Sequence, residues 1–179
     1  MLEALGKYVD EDFPQGKSLF CVSAPTLAEL PAKVQVPSRH FALLLAADAT
    51  AWRDEEIVAV AGKLVAKGLA VLVAWGPGSS RVHDLFDQVR RRDVTPDSVV
   101  LTTWHEGESL DEALWYFVGC ASPADDFAGT CTSWVAASIN HAGWAEHIRG
   151  RMKSSGALMG AGRDAGASRD RDGPPADEA

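Results

Sequence analysis

The sequence predicts a three-layer α/β domain whose sheet is mostly parallel and doubly wound, as in Rossmann-like and flavodoxin-like folds. Continuous apolar runs occur at Phe41 to Asp48, Leu69 to Trp75 and Ser98 to Trp104, as expected for strands buried on both faces. A segment with helical periodicity follows each run. Alternating strands and helices imply right-handed crossovers, which place helices against a parallel sheet.

The first two helices have recognisable ends. Asp54, Glu55 and Glu56 mark the start of the first helix, because acidic side chains favour the positive end of a helix dipole. Gly68 marks its end, because glycine readily adopts the left-handed conformation that closes a helix. The second unit turns through residues 76–80 (GPGSS) into a helix with apolar positions at Val82, Leu85, Phe86 and Val89.

The third helix begins at a capping box formed by Ser109 and Glu112. Its predicted core-facing stripe consists of Leu110, Ala113, Leu114, Phe117, Val118 and Ala121. We expect a fourth strand over Thr130 to Ile139 and a short helix over Trp144 to Met152.

The sequence divides into a core domain at residues 41–153 and two flanking segments. The N-terminal segment, residues 1–40, contains one possible extra strand at Ser18 to Ala24. Pro25, Pro31 and Pro37 predict no regular structure after that strand. Residues 154–179 are rich in Gly, Ala, Arg and Asp, so we expect a disordered tail that buries too little apolar surface to offset its ordering entropy.

The charge of the chain limits its partners. Lys and Arg number 17 against 25 Asp and Glu, which gives a formal net charge of −8. An acidic surface repels nucleic-acid backbones and anionic membranes, so we expect neither as a partner. A small neutral or cationic ligand, or a protein partner, fits this charge better. The residues do not indicate an oligomeric state.

The three cysteines, Cys21, Cys120 and Cys131, indicate a cytoplasmic protein without a disulfide framework. Neither their spacing nor the HEGE segment at residues 105–108 matches a metal-binding motif. His141 and His147 are six residues apart and fall on different faces of a helix. We therefore predict no metal site and no cofactor.

Ligands of open parallel sheets bind outside the carboxyl ends of the strands, near the point where strand order reverses. If the first and third strands flank that point, Asp48 emerges beside His105. The other candidate residues at these strand ends are Trp75, Gly76, Gly78, Ser79, Ser80, Arg81, Thr103, Trp104 and Glu106.

The glycine loop in this set has two interpretations. Free backbone N–H groups at a helix start attract anions, and Arg81 would add further donors, so the loop resembles a phosphate cradle. However, Pro77 removes one donor, and neither a Walker lysine nor a third glycine is present. The alternative is a tight strand-to-helix turn that is capped by a serine.

His105 is the candidate catalytic residue. Histidine titrates near neutral pH, and a carboxylate from Asp48 or Glu106 would orient it as a general acid or base. The alternative is a loop histidine that binds a backbone carbonyl. Catalysis by a serine or cysteine nucleophile is disfavoured, because the sequence contains no GxSxG elbow and no cysteine at a helix start.

Tryptophans suggest a second class of function. Trp52, Trp75 and Trp104 each lie at or shortly beyond a strand end, and Trp115 lies off the core stripe of its helix. Indoles at an exposed rim anchor interfaces and stacked ligands, although they can also close the top of a sheet. We therefore expect a non-enzymatic binding domain that uses an acidic, Trp-rich rim, with a small His105-dependent enzyme as the alternative.

Two segments carry a resemblance to a known family. The segments AWGPGSSRVHD (residues 74–84) and TTWHEGESLDEALWYF (residues 102–117) occur in this order, and together they resemble an uncharacterised bacterial family of unknown function. The likeness covers Phe41 to Ile139. The resemblance implies no activity, substrate or cofactor, so it assigns no role to any residue.

Overall fold

The computed structural model describes residues 1–11, 13–92, 100–156 and 158–159. Within these ranges the strands are β1 (Glu3–Tyr8), β2 (Lys17–Ala24), β3 (His40–Ala46), β4 (Leu69–Trp75), β5 (Leu101–His105) and β6 (Cys131–Ile139). The α-helices of the same ranges are α1 (Leu30–Lys33), α2 (Asp54–Ala66), α3 (Ser79–Arg92), α4 (Leu110–Trp115) and α5 (Ala142–Lys153).

The six strands form one sheet in the order β1-β2-β6-β3-β4-β5. Strand β1 is antiparallel to β2, and every other neighbouring pair is parallel. Apolar side chains of α1, α2 and α3 pack on one face of the sheet, and those of α4 and α5 pack on the other. These three layers confirm the predicted fold class.

Strand order reverses once within the parallel part of the sheet. The chain moves toward one edge from β2 through β3 and β4 to β5, and then returns to place β6 between β2 and β3. Because right-handed crossovers in opposite directions put their helices on opposite faces, α4 lies across the sheet from α1, α2 and α3. Helix α5, which follows β6, packs on the same face as α4. The switch point therefore lies between β3 and β6.

This order corrects the expected neighbourhood of His105. Trp75 of β4 pairs with Ala46 of β3 on one side and with His105 of β5 on the other. The ends of β3 and β5 are therefore two strand spacings apart, about 10 Å. Asp48 and His105 do not emerge side by side, and β5 does not flank the switch point.

The N-terminal segment contributes more than the one strand expected. The predicted strand at Ser18 to Ala24 is confirmed as β2, which pairs along its length with β6, and β1 extends the sheet by one more strand. A 3₁₀ turn (Leu27–Glu29) and α1 follow, so the prediction of no regular structure there is wrong. Pro31 lies in the first turn of α1, where its missing N–H has no helical partner to lose.

The capping box and the apolar stripe predicted for the third strand-and-helix unit are confirmed. Ser109 and Glu112 form the predicted capping box, in which the Ser109 hydroxyl accepts from the Glu112 N–H. After α4 the helix continues as a π-helical turn (Tyr116–Cys120). All six residues of the predicted stripe are buried. The first residues of the predicted third strand, Ser98 and Val99, lie outside the described residues, and β5 begins at Leu101.

The predicted tail includes residues of the core. Leu158 is 2% exposed and Met159 is 8% exposed, and both pack with the side chains that cover the α4 and α5 face of the sheet. A boundary at residue 154 is therefore too early. Residues 160–179, the rest of the predicted tail, lie outside the described residues.

We expect the Leu158→Ala substitution to lower the free energy of unfolding by about 2–5 kcal/mol, because it leaves a cavity among buried side chains. Leu101→Ala is the matched control, because Leu101 is 40% exposed and its truncation leaves no cavity. Urea unfolding of the two variants and the wild type measures the difference. Equal, small losses for both variants would contradict the placement of Leu158 in the core.

Candidate functional site

A cleft of about 710 Å³ opens at the carboxyl ends of the central strands, at the switch point between β3 and β6. Its walls are the loops that follow β2, β3, β4 and β6. The lining residues are Pro25, Thr26, Leu27, Ala28, Asp48, Thr50, Ala51, Trp52, Glu56, Pro77, Ile139, Asn140, His141 and Trp144. A volume in the range of roughly 300–1,000 Å³ is typical of small-molecule sites.

Two carboxylates line the cleft. The Thr50 hydroxyl and backbone N–H donate to Asp48 Oδ1 at 2.6 and 3.0 Å, and these bonds hold the pKa of Asp48 below its usual value. The Arg53 backbone N–H and guanidinium donate to Glu56 and lower its pKa likewise. Both groups are therefore ionised at neutral pH.

Aromatic rings line the cleft at the start of α5. His141 precedes the helix, and its Nδ1 accepts the Trp144 backbone N–H at 3.0 Å. The imidazole stacks on the Trp144 indole, with centroids 3.8 Å apart and planes 9° apart. Trp75 packs against Trp144 edge-on at 5.1 Å and donates its Nε1–H to the Glu108 carbonyl. These contacts fix Trp144 in the cleft wall.

The loop after β3 is held in place by Arg81. Its guanidinium donates to the Ala49 and Trp52 carbonyls, each at 2.7 Å, and lies 3.5 Å from Asp54. The donors that we expected Arg81 to offer to a phosphate therefore bind the chain itself. Arg81 instead fixes the loop that carries Asp48 and Trp52 into the cleft.

The glycine loop is a tight turn whose anion site is filled from within the chain. Gly76 and Gly78 have φ values of +106° and +76°, which favour glycine. The Glu106 carboxylate accepts from the Gly78 N–H at 3.0 Å and from the Ser80 hydroxyl at 2.9 Å, and these bonds lower its pKa. Glu106 therefore caps α3 where a serine was expected, while the Ser79 hydroxyl is buried and makes no hydrogen bond to the described residues.

His105 has a carboxylate partner, but not one of those expected. Its Nδ1 lies 2.8 Å from Glu108 Oε2 and donates to it, and its Nε2 lies 3.4 Å from the Thr103 hydroxyl. The ring packs against Tyr116 at 4.7 Å, and His105 is 8% exposed. Asp48 and Glu106 do not orient it, because their hydrogen bonds go to Thr50 and to the glycine loop.

Trp104, expected beside the other tryptophans, lies apart from them. It is 52% exposed on β5 at the edge of the sheet and stacks on His83 at 4.6 Å. Trp115, the last residue of α4, is half-buried and packs against the core. The tryptophans therefore divide: Trp52 and Trp144 line the cleft, and Trp75 supports Trp144.

Of the predicted catalytic and ligand-binding residues, the structure brings Asp48 into the lining of the cleft, together with Trp52 of the predicted tryptophan rim. Sequence reasoning missed the loop after β6, where Asn140 has a φ of +51° and donates its N–H to the Ala24 carbonyl. An asparagine directly after a buried strand is a signal that the sequence does contain, because asparagine tolerates the left-handed conformation. It also missed the residues that follow β2, because the partner of that strand was not known.

Comparison with known proteins assigns the chain to a family. A family model described as Domain of unknown function (DUF7684) matches residues 20–154, so the chain belongs to this family. The match extends beyond both ends of the range Phe41 to Ile139, over which the sequence resembled a known family. It includes most of β2 and all of α5. A comparison with curated proteins finds no match.

Among the described residues, no helix is both long and apolar enough to cross a membrane. The same residues contain no group of three or more His, Cys, Asp or Glu side chains arranged to hold a metal ion.

We expect Glu106→Gln to lower the thermal unfolding midpoint at neutral pH, because glutamine keeps the shape of the cap but loses its charge. The pKa of Glu106 is lowered by folding, so its contribution to stability is complete above the ordinary value of 4.5. That contribution is lost as the pH falls through the folded pKa. Thermal unfolding of the variant and the wild type should therefore converge in acid.

The control for Glu106→Gln is Glu146→Gln, which removes the same charge from an exposed position of α5. Its unfolding midpoint should follow that of the wild type at every pH. A Glu106→Gln protein that does the same would show that the carboxylate does not hold the glycine loop.

Proposed function

We propose that this domain binds a small molecule in the cleft between β3 and β6 and acts as a binding domain, not as an enzyme. Open parallel sheets bind ligands at the switch point, and here the switch point carries a cleft of small-molecule size. The observation that carries the proposal is the composition of this cleft. It combines two ionised carboxylates with two half-buried indoles, Trp52 and Trp144.

The groups left available in the cleft support binding. Asp48 receives both of its hydrogen bonds on Oδ1, which leaves Oδ2 for a ligand. The exposed side chain of Asn140 offers an amide, and Trp52 is half-buried, packing against the core while it lines the cleft. An apolar wall with a few polar groups is the usual composition of a ligand site.

Catalysis by His105 has less support than binding. The histidine has a carboxylate in hydrogen-bond reach, but its ring is covered by Tyr116 and does not line the cleft. A general base needs contact with the substrate proton.

We also propose that the domain is cytoplasmic. Cys21, Cys120 and Cys131 are all free thiols. A reducing compartment keeps thiols in this state.

The binding proposal is tested by two-dimensional ¹H–¹⁵N NMR with a library of small neutral and charged fragments. The six indole N–H signals, assigned by Trp→Phe variants, report the location of each fragment. Fragments that bind should shift the Trp52 and Trp144 signals in a saturable manner and leave that of Trp104 in place.

A variant that fills the cleft provides the control. Ala28→Trp places an indole at an exposed position of the lining and should abolish the shifts. Ala59→Trp adds the same side chain at an exposed position of α2 outside the cleft and should leave them unchanged. Absence of any cleft binder in the library, or binding that survives Ala28→Trp, would overturn the proposal.

A further inference from the structure

We infer that the ligand of the cleft carries an ammonium group, which Asp48 and the indole of Trp52 bind together. This inference rests on the proposed function and adds the chemical class of the ligand. It is carried by the charges in the cleft, the partners of its carboxylates and the half-buried ring of Trp52, which lines the cleft.

The lining of the cleft contains acidic residues but no Lys or Arg among the described residues. Its two acidic residues are Asp48 and Glu56. His141 also lines the cleft, and its Nδ1 accepts the Trp144 N–H. Acidic side chains also occupy the first turn of α2, where a helix start would otherwise favour an anion.

The two carboxylates differ in their ion-pair partners. Glu56 has a cationic partner, because Arg53 lies 3.1 Å from its Oε1. Asp48 receives hydrogen bonds from Thr50 alone, and within the described residues no Lys, Arg or His forms an ion pair with it. The pKa of Asp48 is lowered, so the carboxylate keeps its charge at neutral pH. A ligand cation is the counterion that this arrangement lacks.

The indole of Trp52 provides the second contact. Arg81 holds the backbone of Trp52 through its carbonyl, while the ring lines the cleft four residues after Asp48. The negative face of an indole attracts a cation, and tryptophan does so better than tyrosine or phenylalanine. A carboxylate and an indole on one rigid loop therefore match an organic cation, with an apolar surround that a strongly hydrated metal ion would not favour.

The inference is tested by titrating the full chain with choline and with its uncharged carbon analogue dimethylbutanol, in which a quaternary carbon replaces the nitrogen. The two probes have the same shape, so their difference measures the charge. Following the Trp52 indole N–H by NMR, we expect choline to bind about five- to tenfold more tightly than the alcohol. Acetate should cause no saturable shift.

Asp48→Asn is the decisive variant, because asparagine keeps the Oδ1 acceptor for Thr50 and removes only the charge. It should reduce the affinity for choline to that for dimethylbutanol and leave the affinity for the alcohol unchanged. Glu55→Gln is the control, because it removes one charge from the exposed start of α2 without lining the cleft. It should preserve the preference for choline.

The outcomes separate this inference from the proposed function. Equal binding of choline and dimethylbutanol, or a preference for choline that survives Asp48→Asn, overturns the ammonium inference while the cleft remains a binding site. Binding of acetate in preference to choline overturns it as well. If neither probe nor any library fragment shifts the Trp52 and Trp144 signals, the proposed function fails together with the inference.

Discussion

The insertion of β6 between β2 and β3 is the constraint on which the rest of the structure depends. As an inner strand, β6 is covered on both faces, and from Ser133 to Ile139 every residue is buried. Small side chains at Ala136, Ala137 and Ser138 allow helices to approach both faces of this strand. The chain leaves β3 toward α2 on one face and leaves β6 toward α5 on the other. The loops that follow β3 and β6 therefore diverge, and the cleft is the space between them.

Two internal contacts decide which polar groups at the strand ends remain available to a ligand. Glu106 occupies the helix start that resembled a phosphate site, and Arg81 binds the carbonyls of the loop after β3. Both side chains therefore fix loops and do not face the cleft. The Arg81 guanidinium and the donors at the start of α3 therefore bind groups of the chain itself, while Asp48 and the half-buried ring of Trp52 line the cleft. A surface that retains acceptors and indoles discriminates against anions.

Most of the local structure could be predicted from the sequence, because periodicity and caps are short-range signals. The stripe on α4 and the strand at Leu69 to Trp75 illustrate this. Strand order could not be predicted, because right-handed crossovers permit movement in either direction along a sheet. The position of the cleft depends on that order, so most of its residues, apart from Asp48 and Trp52, were missed. The burial of Lys17 could not be predicted for a related reason. Its ammonium lies against the Val118 carbonyl and the Trp134 ring, and both contacts are distant in sequence.

The central claim is that the cleft at the switch point is the place where this family member binds its ligand. A crystal structure of the protein soaked with its tightest-binding fragment tests this most directly. The account predicts the fragment between the loops after β3 and β6, with a cationic group near Asp48 Oδ2 and an apolar part against Trp52 or Trp144. A fragment bound on Trp104 and His83 at the β5 edge, or at the turn of residues 76–80 with Glu106 displaced, would contradict it.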